Sequence, residues 1–323
     1  MHPPGFAARY HDATKHHPRR YARSAGFMDW PNQPNPFLRY QGAESFLLPL
    51  APAEEGPAYA QLYAPAQIPP QPFDRYSLGA FLQYAVGLAA WKEYQGSRWE
   101  LRCNPSSGNL HPTETYVVAP PLEVLGDTAG VHHYLPLEHG LELRCTFPET
   151  VWNDIAAHLP GAFCLVGLSS IHWREAWKYG ERAYRYCQLD AGHAIAAVAY
   201  SAAALGWRAV LLDALGTAEM AQILGMDREE DRHPEEPESP EAIIALVPAG
   251  HAEAIPTDLP QCVAAAIADG TWAGTPPPLS RDHMPWDIIA AVNDAAQKPP
   301  TPAALRPPLP SPLRDGPDRS QGP

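Results

Sequence analysis

The sequence has 323 residues, of which 45% are hydrophobic and 18% charged, with a formal net charge of −13. That composition holds one large globular domain or two small ones and excludes an unfolded polar polymer over most of the chain. The acidic balance argues against nucleic acid as the main partner, because phosphate binding needs a basic surface. A basic stretch with Lys15, Arg19, Arg20 and Arg23 leaves room for one anionic cofactor.

Five cysteines, at 103, 145, 164, 187 and 262, form no CxxC pair. Scattered thiols of this kind point to a reducing compartment. No apolar run approaches the ~20 residues of a bilayer span, and the start, MHPPGFAARYHDATKHH, lacks the apolar stretch of a secretion signal. The expectation is a cytoplasmic protein with no membrane partner.

In chain order, the proline-rich stretch 31–72 reads as an extended arm, giving an N-terminal segment 1–72. Ser77 is placed to cap a helix through LGAFLQYAVGLAAW. TYVVA (115–119) reads as a strand, and VHHYLP (131–136) with LELRC (141–145) as a hairpin around Glu-His-Gly. VWNDIAAHL is a short helix, and AFCLVGLSS (162–170) an apolar central strand. Glu181 to Leu205, alanine-rich and free of proline, is the strongest helix, with Gly192, Ala196, Ala199 and Ala203 in a stripe of small residues. WRAVLLD (207–213) and EAIIALVPA (241–249) read as strands around the helical AEMAQILGM, and WDIIAAVNDAAQ (286–297) closes a domain 73–297. The proline-rich tail 298–323 has too few apolar anchors to fold. Strands and helices interleave without a strict βαβ rhythm, so the fold class is α+β.

Two segments carry candidate chemistry. The loop Arg102-Cys103-Asn104-Pro105-Ser106-Ser107-Gly108-Asn109-Leu110-His111 is built either to present backbone N–H groups and short donors to a planar ring or phosphate, or to satisfy its own backbone in a tight connection. It matches neither dinucleotide nor P-loop fingerprints. Trp177-Lys178-Tyr179-Gly180-Glu181-Arg182-Ala183-Tyr184-Arg185 opens the long helix. There Arg182 and Arg185 suit an anion at a helix start, and Lys178 and Tyr179 suit proton transfer. The plainer reading is a surface helix start with a Glu181–Arg185 pair. Histidines 11, 16, 17, 132 and 133 sit in no metal-binding frame, so no metal is assigned.

RCNPSSGNLHPTETYVV (102–118), HHYLPLEHGLELR (132–144) and WKYGERAYRYCQLDAGHAIAAVAYSAAALGW (177–207) resemble the nitroreductase superfamily, and within it the SagB/ThcOx-like branch of FMN-dependent dehydrogenases. The resemblance runs from the arm to about residue 296 and covers a single nitroreductase unit. It implies an α+β fold around a mixed or antiparallel central sheet, and FMN bound between two units. Arg102, Ser106, Ser107 and Asn109 match the family's R-x-x-P-S-x-G-x motif at the flavin. Lys178 and Tyr179 match its Lys-Tyr pair implicated in substrate oxidation, and Arg182 and Arg185 its following arginines. The implied function is hydride transfer between flavin N5 and a small organic or peptide-derived substrate, in a homodimer or a heterodimer with a second nitroreductase-like chain. The alternative is a non-catalytic nitroreductase-like partner subunit or peptide-binding protein.

Overall fold

A computed structural model describes residues 5–52, 56–231, 233–251 and 253–307. The chain enters through helix α1 (Phe6–Thr14) and reaches its first strand, β1 (Ser45–Leu47), inside the proline-rich arm. Helix α2 (Arg75–Val86) starts at Asp74, whose carboxylate accepts from the Tyr76 and Ser77 amides. Ser77 is therefore the third residue of the helix, its hydroxyl accepting from the Asp74 amide in return. Gly87 ends the helix. The expected continuation through LAAW is instead β2 (Leu88–Tyr94), which pairs with β3 (Ser97–Arg102) in an exposed two-stranded hairpin. Arg98 lies over the Trp91 ring at 4.3 Å there, a cross-strand contact that a helix would not make.

The remaining elements follow as β4 (Thr113–Ala119), β5 (Ala129–Leu135), β6 (Gly140–Phe147), α3 (Glu149–His158), β7 (Cys164–Ile171), α4 (His172–Tyr179), α5 (Ala183–Ala204), β8 (Trp207–Leu211), α6 (Thr217–Leu224) and β9 (Glu238–Pro248). Then come β10 (Ile255–Pro256), α7 (Gln261–Ala268), β11 (Thr271–Trp272), α8 (Asp287–Ala295) and β12 (Leu305–Arg306). The main sheet has the order β1-β6-β5-β4-β7-β9-β8, with β11 also on β6, and every one of its pairings is antiparallel. This is the expected α+β class. Every residue of β7 is buried, as its unbroken apolar run requires of a strand covered on both faces.

Helix α5 packs on the sheet and on α2 through Cys187, Ala191, Ala194, Val198 and Ala202. Its other face leaves Leu189, Gly192, Ala196, Ala199 and Tyr200 exposed; of the small-residue stripe only Ala203 is buried. No helix among the described residues is long and apolar enough to cross a membrane.

The tail differs from expectation over its described part, 298–307. The Thr217 amide donates to the Lys298 carbonyl at 2.8 Å, Thr301 to Ala214 at 2.9 Å, and Thr257 to Ala304 at 3.0 Å. β12 then pairs with β10. Proline removes donors but not acceptors, so a proline-rich strand can still be held by amides from the body. The rest of the tail, 308–323, lies outside the described residues.

Candidate functional site

The loop between β3 and β4 is shaped by three left-handed residues, Gly108 (φ 63), Asn109 (φ 61) and His111 (φ 49). For Asn and His this geometry is sparsely populated and needs support from outside the loop. Helix α5 gives that support. The Asp190 carboxylate accepts from the Ser106 hydroxyl at 2.9 Å, the Ser107 amide at 2.9 Å and the Ser107 hydroxyl at 2.9 Å. Ser106 Oγ in turn accepts from the His111 amide at 2.8 Å, and Asn109 Nδ2 donates to the Glu100 carbonyl at 2.7 Å. The loop's polar side chains thus satisfy a helix carboxylate 83 residues on as well as their own backbone, which is the second of the two readings the sequence left open.

The end of α4 meets this loop. Lys178 Nζ lies 3.4 Å from the Gly108 carbonyl. A Cβ on Gly108 would stand 2.5 Å from the Tyr179 hydroxyl and 3.0 Å from Lys178 Nζ, so only glycine lets the loop backbone approach this pair. Gly180 (φ 54) then turns the chain into α5; a Cβ there would meet the Arg23 carbonyl at 2.6 Å. The two candidate segments, 70 residues apart, are one site.

The arginines are drawn into the arm. Arg102 is buried and donates from Nη2 to the Pro36 carbonyl at 2.5 Å; burial lowers its pKa to about 10. Arg182 sits 5.1 Å from the Tyr179 ring and bonds Tyr186 Oη at 3.1 Å and His16 Nε2 at 2.5 Å. Arg185 donates to the His11 carbonyl and the Thr14 hydroxyl. The expected Glu181–Arg185 pair is not what forms: Glu181 takes Arg23, at 2.8 Å, because the arm crosses the start of α5 there.

With this geometry in place, the comparison with known proteins decides the family. Residues 70–246 match the nitroreductase family. The chain belongs to that family. A provisionally named nitroreductase of Methanocaldococcus jannaschii is 30% identical over 126 residues, covering 37% of this chain and 62% of that protein. A crystal structure of a protein described in the same way from Anabaena variabilis aligns with TM-score 0.56 and 25% identity, over 75% of this chain and 46% of that one. The chain therefore spans less than two thirds of either relative's length. Nitroreductases are oxidoreductases of flavin type, and the donor set here fits such a cofactor. Among the described residues, Arg182 Nε is buried without a hydrogen-bond partner, a donor that an anionic group would satisfy.

Beneath the nitroreductase loop lies a carboxyl that the sequence did not flag. Glu175 on α4 is fully buried, and neither of its oxygens has a hydrogen-bond partner among the described residues. Burial, then the charge of Asp190, push its pKa well above the ordinary 4.5, with Lys178 opposing. The group is held as a neutral acid. The unfolded chain releases this proton near pH 4.5 and the folded chain keeps it. Stability should therefore fall as pH rises above that value, by up to about 1.4 kcal/mol per pH unit. Glu175→Gln removes this slope. Thermal melts should show the variant more stable than the parent at about pH 8 and close to it at about pH 4; equal melting at both values would refute a neutral Glu175.

A second buried network fixes the loop from the sheet side. His133 on β5 bonds Glu142 at 2.8 Å and Glu114 at 2.9 Å, and Glu114 pairs with Arg174 at 2.5 Å. Arg174 also donates to the His111 carbonyl at 2.7 Å. Burial opposes the charge on His133, but the two carboxylates outweigh it and raise its pKa to about 9. Burial likewise opposes the Glu114 charge, yet Arg174 and His133 hold its pKa at about 2. His133, one of the histidines that invited a metal reading, is thus a buried cation between carboxylates.

Proposed function

We propose that this chain is an FMN-dependent oxidoreductase of the SagB-type branch, acting on a small organic or peptide-derived substrate in the cytoplasm. The observation that carries this reading is the approach of Lys178 to the Gly108 carbonyl, with the Tyr179 hydroxyl against the same glycine. Bound FMN would supply hydride exchange at N5. Arg182 would hold its anionic group, and Ser106, Ser107 and Asn109 would exchange their present bonds to Asp190 and the Glu100 carbonyl for it, while Arg102 and Arg185, bonded to the arm, keep the arm against the site. Burial raises the Tyr179 pKa above its ordinary 10.0, so the phenol stays protonated at neutral pH and can donate. Lys178 would hold or move the proton that accompanies the hydride, beside the neutral carboxyl of Glu175.

The exposed small-residue face of α5, with Leu189 and Tyr200 at its borders, supports a two-fold homodimer that covers this helix. A heterodimer with a second nitroreductase-like chain would cover the same face. One preparation tests the reading. Purified protein should show flavin absorption, and excess FMN should raise its melting temperature. A ligand at a hundredfold excess over Kd stabilises by about 2.7 kcal/mol. Light scattering should give twice the 35.3 kDa chain mass. A colourless protein unmoved by FMN would favour the non-catalytic partner subunit instead.

A further inference from the structure

The acidic segment DREEDRHPEEPESPE (227–241) has no part in the site described above. Its turn before β9 packs against the loop that precedes α8. There His233, Glu236 and His283 each offer a ligand atom, and these atoms lie within 4.8 Å of one another. Glu236 Oε1 is 2.6 Å from His283 Nε2, and His233 Nδ1 is 3.9 Å from Glu236 Oε2. The side chains of Glu236 and His283 are only 2% and 6% exposed. Nδ1 of His233 and Nδ1 of His283 are both buried without a hydrogen-bond partner among the described residues. Glu235 Oε2 approaches His283 Nδ1 at 3.1 Å, close but off the bonding direction.

We propose that His233, Glu236 and His283 bind one zinc-class divalent cation. Two imidazoles and one carboxylate form a donor set that suits zinc, with a fourth position left for water. Ligand atoms around tetrahedral zinc stand about 3.3 Å apart, so shifts of about 1 Å convert the present spacing into a coordination shell. The supporting groups are those that a metal site uses. Glu235 stands 3.1 Å from the nitrogen of His283 turned away from Glu236, where a small rotation would give the imidazole a carboxylate partner that fixes its tautomer and orients Nε2 toward an ion. The Leu279 and Ser280 amides donate to the two Glu236 oxygens at 2.7 and 2.9 Å, fixing the plane of that carboxylate.

Access and charge agree. A cavity of about 580 Å³ is bordered by Glu235 and His283, and a smaller one of about 40 Å³ by His233 and Glu236. Two carboxylates, Glu235 and Glu236, balance a divalent charge, and the surrounding acidic segment favours cations over anions. The ion would staple the 233–236 turn to the 279–283 loop, beside Trp173, whose ring lies 4.9 Å from that of His283. The inference does not depend on the flavin reading.

The test uses the full chain, stripped with a chelator and titrated with zinc chloride by calorimetry. One zinc per chain should bind and raise the melting temperature. His233→Gln and His283→Ala should each weaken binding by about tenfold or more. His158→Ala, at a histidine paired with Asp258 elsewhere, should leave it unchanged. If His283→Ala does not fold, zinc-edge X-ray absorption on the unmodified protein reads the shell directly and should show two imidazoles. Absence of binding at micromolar zinc, equal binding by the variants, or a shell without imidazole would overturn the proposal.

Discussion

Lys178→Ala is expected to lower turnover per bound flavin about a hundredfold or more, the range for loss of a general acid or base. The side chain is half-buried at the end of α4 and makes one long contact, 3.4 Å, to the Gly108 carbonyl. Removing it leaves the loop's bonds to Asp190 in place, so fold and flavin content should stay near those of the parent. Tyr179→Phe is the companion variant. It keeps the ring against Tyr186, 4.6 Å away, and removes only the hydroxyl. The two quantities to compare are the flavin-to-protein ratio and the rate per flavin. Loss of flavin with an unchanged rate per flavin would turn the pair into a cofactor-holding element and end its assignment to proton transfer.

How much of this was legible in the sequence depends on whether the signal was local. β7 and α5 announced themselves, the first by an unbroken apolar run between breakers and the second by alanine without proline. The β5–β6 hairpin followed from its Glu-His-Gly turn, with His139 taking the left-handed geometry (φ 52). Helix α4 was hidden because its buried residues include Arg174 and Glu175, which hydropathy reads as surface. β2 reads as helix because LAAW continues a helical apolar pattern, and Gly87 and the pairing with β3 break it. The loop and the Lys-Tyr pair were visible separately through composition. The Asp190 carboxylate that ties the loop to α5 sits inside an alanine-rich helix and has no local signature. His133 and Glu142 are direct cross-strand partners, yet their link to Arg174 runs through contacts that no window of sequence displays.

That link carries the largest stability effect expected here. Arg174→Met should destabilise the chain by about 3–5 kcal/mol at neutral pH, the cost of leaving a buried charge without its partner. Arg174 is fully buried, pairs with Glu114 at 2.5 Å and holds the His111 carbonyl at 2.7 Å. The sign of the pH dependence follows from the two shifted groups. Glu114 has its pKa lowered to about 2 in the folded chain, so its contribution is present above the ordinary 4.5 and is lost as pH falls through about 2. His133 has its pKa raised to about 9, so its contribution is full below the ordinary 6.5 and is lost as pH rises through about 9. Without Arg174 the Glu114 carboxylate loses its main favourable charge partner and protonates more readily, so the deficit should shrink between about pH 7 and pH 4. Urea denaturation at those two values measures it. Arg174→Met combined with Glu114→Gln removes both charges and should recover part of the loss. A deficit under about 1 kcal/mol at neutral pH, or one that does not change with pH, would mean that the pair is solvated rather than buried. The His111 end of the loop would then owe its left-handed geometry to Ser106 and Asp190 alone.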